Sequence, residues 1–224
     1  MSFVENILNL FRHRENNKVF NIEKIAIFGY ADAKPESKLY QDAFNVCKIL
    51  AQAGYTIVDG GGPGVMEAAS LGAKNGGGKV IGVTLYPEDT NNYEGVSKNN
   101  PIDEEIKTTT YVERTLKLMQ EGQAYVIFNG GTGTMSELGM AWGLARIYFG
   151  HHKPLILYGD FWKKIIKVLS ENMLLRPEEK QVYRIVDTPH EVLKAIKEIE
   201  LEVESEKVKD LKISGEKGFN IEES

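Results

Sequence analysis

The stretch Ala124-Tyr125-Val126-Ile127-Phe128-Asn129-Gly130-Gly131-Thr132-Gly133-Thr134-Met135-Ser136-Glu137 changes character twice. Its first five residues are apolar and mostly β-branched or aromatic, bounded by a glycine cluster, which reads as a buried strand. Three glycines in four positions then let the backbone turn sharply and approach a ligand without a Cβ in the way. From Thr134 to Phe149 the pattern becomes helical. Such a strand–glycine turn–helix unit aims the free amides of a helix N-terminus at the turn, which suits an anion. The hydroxyls of Thr132 and Thr134 add donors.

Outward from this unit the alternation repeats. Apolar runs at Lys24–Phe28, Thr56–Asp59, Val80–Thr84, Ile106–Thr109, Leu155–Leu157 and Arg184–Val186 read as strands. Helical patterns fall between them, at Ser37–Ala53, Gly64–Lys74, Val112–Glu121, Phe161–Asn172 and Pro189–Ile199. On Ser37–Ala53, Leu39, Ala43, Val46 and Leu50 share one face, and Gly54 marks its end. Short strands alternating with helices predict βαβ units: an α/β, Rossmann-like three-layer fold with a mostly parallel sheet and helices on both faces. In such a sheet ligands sit beyond the carboxyl ends of the strands. The organisation expected is an amphipathic N-terminal helix over 1–21, a nucleotide-binding domain over 22–200, and a charged flexible tail over 201–224. Pro87–Pro101, polar and rich in asparagine, reads as a loop long enough to be a lid or simply mobile.

A second glycine turn, Asp59-Gly60-Gly61-Gly62-Pro63-Gly64-Val65-Met66-Glu67, follows the strand Thr56–Asp59. It is either a tight turn or, with Gly61, Gly62, Gly64 and Met66, the other wall of a substrate pocket. Neither turn has the spacing of a P-loop, and neither supports classical dinucleotide binding. Thr134-Met135-Ser136-Glu137 is also a capping-box pattern, so Glu137 either bonds back to the Thr134 amide or serves the pocket. Arg114, just past a strand end, is either a solvated helix residue or a partner for the anion.

The 224 residues carry a net charge of −5, which disfavours a nucleic-acid surface. A single cysteine, Cys47, rules out an intramolecular disulfide and fits a reducing compartment. Four histidines show no zinc-ligand spacing, so no metal is expected. No apolar run is long enough to cross a membrane, and the first residues lack the regions of a signal peptide. A cytoplasmic setting is expected, with no membrane partner.

Gly60–Ala68, Glu113-Arg114 and Gly130–Glu137 occur in this order, and together they resemble the LOG (Lonely Guy) family, also called possible lysine decarboxylases. The resemblance covers about residues 22–170 and includes Met119 and His152-Lys153-Pro154-Leu155. It implies a homodimer or higher oligomer. It also implies phosphoribohydrolase activity: cleavage of a purine nucleoside 5′-monophosphate, AMP or a cytokinin riboside monophosphate, to free base and ribose 5-phosphate. The family's catalytic arginine and glutamate match Arg114 and Glu137, and its phosphate loop matches Gly130, Gly131, Thr132, Gly133 and Thr134. No cofactor is implied, and nothing marks a pyridoxal-phosphate lysine. Two residues depart from the pattern: Asn129 stands where proline is usual, and Thr115 where an Arg-Lys pair is usual. They keep open an alternative, a non-catalytic nucleotide-binding protein or a carrier of a phosphorylated cofactor such as a pterin.

Overall fold

The computed structural model describes residues 22–87, 93–150 and 152–216, with side chains as far as Glu202. In the unit Ile22–Ile196 the described elements run β1 (Lys24–Phe28), α1 (Lys38–Gln52), β2 (Thr56–Asp59), α2 (Val65–Asn75), β3 (Val80–Leu85), β4 (Glu104–Thr108), α3 (Tyr111–Glu121), β5 (Ala124–Ile127), α4 (Thr132–Ile147), β6 (Leu155–Tyr158), α5 (Phe161–Asn172), a 3₁₀ turn (Pro177–Lys180), β7 (Tyr183–Val186) and the start of α6 (Pro189–Glu216). The described part of the second unit, Lys197–Glu216, is the rest of α6. The boundary expected near residue 200 therefore falls inside a helix. The expected N-terminal helix lies outside the described residues.

The seven strands form one sheet in the order β4-β3-β2-β1-β5-β6-β7. Every pairing is parallel. Parallel strands need crossovers, and helices on both faces bury the central strands completely. Ile25, Ala26, Ile57, Val58, Val126, Ile127, Ile156 and Leu157 are all at or below 1% exposure. Burying such aliphatic side chains stabilises by about 1.5–3 kcal/mol each, which fixes the register of the strands. The edge strand β4 carries Glu104, Glu105 and Lys107 and is largely exposed, so charge guards the open edge.

Helix boundaries follow local chemistry. The Ser37 hydroxyl caps α1 by accepting from the Tyr40 amide at 3.3 Å. The inner face of α1 is Tyr40, Ala43, Val46, Cys47 and Leu50, with Leu39 only half-buried. Chain order reverses about β1: the chain winds outward from β1 to β4 on one side and from β5 to β7 on the other. That reversal leaves a crevice between the carboxyl ends of β1 and β5, the usual ligand position in such sheets.

Candidate functional site

Three loops are stitched together at this crevice. The Tyr30 amide, after β1, donates to the Asn129 carbonyl after β5 at 3.0 Å. The Val65 amide, at the start of α2, donates to the Tyr30 carbonyl at 3.0 Å. Gly64 sits at φ +66°, and a Cβ there would lie 2.3 Å from the Ala31 carbonyl oxygen, so only glycine fits. The two glycine turns thus face one crevice from opposite sides of the loop after β1.

Gly131 caps α4, and the helix proper begins at Thr132. The first intrahelical bond is Met135 amide to Gly131 carbonyl, 3.0 Å, which leaves the amides of Thr132, Gly133 and Thr134 without helical partners. These amides, with the positive end of the helix dipole, form an anion cradle. Thr132 and Gly133 are exposed, whereas Thr134 is buried with its hydroxyl tucked beside Gly130. The capping-box reading of Thr134–Glu137 is overturned. With Gly131 as the cap, Glu137 lies almost two turns into the helix, on the inner stripe Thr134, Glu137, Leu138, Ala141, Ala145.

Glu137 is 8% exposed, and among the described residues nothing donates a hydrogen bond to its carboxylate. Burial pushes its carboxyl up to about 8; the Arg114 guanidinium partly offsets this, and the Glu94 carboxylate adds to it.

Arg114 comes from α3. Thr110 caps that helix by accepting from the Glu113 amide at 3.1 Å, while Glu113 accepts from the Thr109 amide at 3.0 Å. These two bonds fix the first turn and set Arg114 on the inner face with Thr115, Leu118 and Met119. Arg114 is buried, which settles against a solvated helix residue. Its Nε donates to the Val83 carbonyl at 3.2 Å, and its Nη2 donates to the Gly60 carbonyl at 3.0 Å and contacts the Met66 sulfur at 3.1 Å. A guanidinium has five N–H groups, so donors remain for a ligand. The Tyr93 ring lies over this guanidinium, with the centroid 6.0 Å away. A Cβ on Gly60 would lie 1.7 Å from Nη2, so the arginine and the glycine turn are built around each other.

A third carboxylate organises the turn from below. Asp59, fully buried at the end of β2, accepts from the Gly61 amide at 2.7 Å and the Ser70 hydroxyl at 2.6 Å. Burial raises its carboxyl to about 6, against the pull of these two donors and of Arg114. The helices that carry Arg114 and Glu137 are also clamped: the Tyr111 hydroxyl contacts Ser136 Oγ and donates to the Gly133 carbonyl at 3.3 Å.

The chain that carries this site has matches among known proteins. The model of the SLOG cluster4 family matches residues 23–192, about three quarters of the chain. The chain belongs to the SLOG cluster4 family. The resemblance to LOG proteins holds in full sequences as well. A rice protein (Oryza sativa subsp. japonica) named probable cytokinin riboside 5′-monophosphate phosphoribohydrolase is 28% identical, over 73% of this chain and 68% of its own. A Mycobacterium tuberculosis protein named cytokinin riboside 5′-monophosphate phosphoribohydrolase is 32% identical, over 59% of this chain and 69% of its own. Among solved structures, an X-ray structural-genomics target is 26% identical with a TM-score of 0.60, covering 79% of this chain and 99% of that one. The molybdenum cofactor binding protein of Rippkaea orientalis has the same fold, with a TM-score of 0.58 at 24% identity, over 80% of this chain and 98% of its own.

In this SLOG cluster4 chain every site residue expected from the sequence lies on the two glycine turns or on the first two turns of α2, α3 and α4. Gly61 and Gly62 are buried, and their carbonyls accept from the Ser97 amide at 2.9 Å and Asn100 Nδ2 at 2.8 Å. Thr115 is buried too and turns its hydroxyl back to the Tyr111 carbonyl at 3.0 Å. The sequence reading missed Asp59, Ser70, Tyr93, Glu94 and Tyr111. Asp59 left a signal, an acid closing an otherwise apolar strand; the others left none at the level of spacing. No cluster of three or more His, Cys, Asp or Glu side chains suited to a metal occurs among the described residues.

Proposed function

We propose that this protein hydrolyses the N-glycosidic bond of a purine nucleoside 5′-monophosphate, releasing free base and ribose 5-phosphate. The observation that carries the reading is a buried Glu137, within the electrostatic influence of the buried Arg114 guanidinium, on the helix whose first turn forms an anion cradle. The names of the rice and mycobacterial relatives support it.

The chemistry follows from the parts. The 5′-phosphate sits on the amides of Thr132, Gly133 and Thr134 and the Thr132 hydroxyl. The ribose then extends toward Glu137. Breaking the bond from C1′ to the base leaves an oxocarbenium-like cation, as in glycoside hydrolysis. An ionised Glu137 stabilises that cation and takes a proton from the attacking water, whose oxygen bonds to C1′. The remaining guanidinium donors of Arg114 hold the phosphate or the departing base; the bonding electrons leave with the base, which takes up the proton that the water gave to Glu137. A carboxyl near 8 is a strong acceptor once ionised, and about a tenth of it is ionised at neutral pH, so activity should grow toward alkaline pH.

The test is phosphate dependence. The purified chain should release adenine from AMP and none from adenosine, because the cradle is half of the site. Equal cleavage of both would remove the phosphate from the account. A second reading, a carrier of a phosphorylated heterocycle, is favoured by Thr115: its hydroxyl is turned to its own helix, and Arg114 is the buried basic side chain of the described residues. Under that reading AMP raises the melting temperature and no base appears.

A further inference from the structure

Beyond the reacting groups, one segment crosses the site. Tyr93–Ile102 runs over the glycine turn, and four observations tie it there. The Ser97 amide donates to the Gly61 carbonyl at 2.9 Å. Asn100 Nδ2 donates to the Gly62 carbonyl at 2.8 Å. The Ile102 side chain closes on Gly61 and Gly82, where a Cβ would meet its Cδ1 at 3.2 and 2.4 Å. Finally, the Ser97 hydroxyl donates to Glu67 Oε2 at 2.6 Å. The other oxygen of Glu67 accepts from the Tyr40 hydroxyl of α1 at 3.1 Å. Glu67 therefore joins three parts of the chain: α1, the first turn of α2 and the crossing segment.

Among the described residues the segment has few other anchors. Glu94, Lys98 and Asn99 are exposed, and Gly95, at φ +79°, gives the backbone a free joint. Where apolar burial is small, hydrogen bonds to the rest of the fold decide whether a segment stays closed. A hydroxyl bonded to a carboxylate is among the stronger of these. The segment carries Tyr93 to its place over Arg114, so whatever holds Ser97 also roofs the arginine.

We propose that Glu67 is a positioning residue: by holding Ser97 it fastens Tyr93–Ile102 across the glycine turn, and this fastening slows the departure of a bound nucleotide. The role of the nucleotide rests on the function proposed above; the fastening itself does not. Glu67 touches neither phosphate cradle nor reacting carbon in this scheme.

Hydrogen exchange on the ligand-free full chain tests the fastening, and AMP dissociation tests its purpose. Glu67→Ala and Ser97→Ala should each speed exchange across 93–102 by at least about tenfold, and the double variant should be no faster than Ser97→Ala alone, since both lose the Ser97–Glu67 bond while Ser97→Ala also removes the acceptor of the Asn99 amide. Glu67→Gln, which keeps an acceptor for Ser97, should restore most of the protection. Tyr40→Phe should leave the segment as in the wild type. The Glu67→Ala chain should release AMP about tenfold faster with kcat changed less than about threefold, a split that simple loss of folding would not give. Unchanged exchange in Glu67→Ala, or additive effects in the double variant, overturns the fastening. Faster exchange with unaltered AMP release overturns its purpose. A wild-type chain that neither binds nor cleaves AMP overturns the nucleotide reading alone, and the exchange data still decide whether Glu67 fastens the segment.

Discussion

Glu137 is a carboxyl group on the inward stripe of a helix, with no donor among the described residues to stabilise its charge. Its ionisation is disfavoured by burial first, and Arg114 offsets only part of that cost. Two outcomes follow. Glu137→Gln should lower turnover of AMP by at least about a hundredfold, because an amide neither accepts the proton from water nor balances a cation. The same change should leave the fold intact and stabilise it at high pH, where the wild type must hold a buried carboxylate. The rate should also report the group: kcat/KM should rise with pH through an apparent value near 8 if the ionised form reacts. A falling limb at that pH would instead make Glu137 a proton donor. Arg114 is the complementary case. Arg114→Ala strips partners from the Val83 and Gly60 carbonyls at once, so melting should show a loss of about 3–5 kcal/mol together with loss of AMP binding. Neither role was settled by spacing. Glu137 matched a capping box, and Arg114 matched a solvated helix residue, because one-dimensional patterns do not say which way a polar side chain faces. A subtler signal was present: Arg114 stands four residues before Leu118, on the apolar stripe of its own helix.

At the scale of elements, two devices hold these groups in place. The Tyr111 clamp joins the first turns of α3 and α4. Tyr111→Phe should therefore cut kcat for AMP several-fold with little change in melting temperature, since the residue is exposed and the loss is of alignment. The glycine turn after β2 is the second device. Gly60→Ala places a methyl group on Nη2 of Arg114, so AMP affinity should fall by at least about tenfold, measured by titration calorimetry. Apart from α6, which runs on to Glu216 where an end at Ile199 was expected, the strands and helices were legible in the sequence to within a few residues, because parallel strands are apolar throughout and helices show their period. The start of α4 was misplaced by two residues because Thr134 resembles a capping residue, whereas Gly131 caps it. The Pro87–Pro101 segment read as a polar loop, either a lid or simply mobile. Its described part crosses the site, held by hydrogen bonds to backbone carbonyls that no side-chain pattern encodes.

For the whole molecule, the strand order places every expected site residue at one edge of the sheet, and this much followed from the alternation of strands and helices. The two buried carboxyls also set how stability varies with pH. Both Glu137, at about 8, and Asp59, at about 6, hold protons in the folded chain that the unfolded chain releases near pH 4. Their stabilising contribution is thus complete below about pH 4 and is lost as pH rises, through about 6 for Asp59 and about 8 for Glu137. Thermal or urea unfolding should show the chain less stable at about pH 9 than at about pH 5 by a few kcal/mol, and Glu137→Gln should remove more than half of that difference. A flat profile would mean that the carboxyls are solvated. The measurement that reaches the central claim most directly is the quantity of adenine released from AMP by the wild-type chain and by Glu137→Gln, side by side. The account predicts adenine and ribose 5-phosphate in equal amounts from the wild type and almost none from the variant. Adenine release at the wild-type rate from the variant, or AMP bound by the wild type and returned intact, would contradict it.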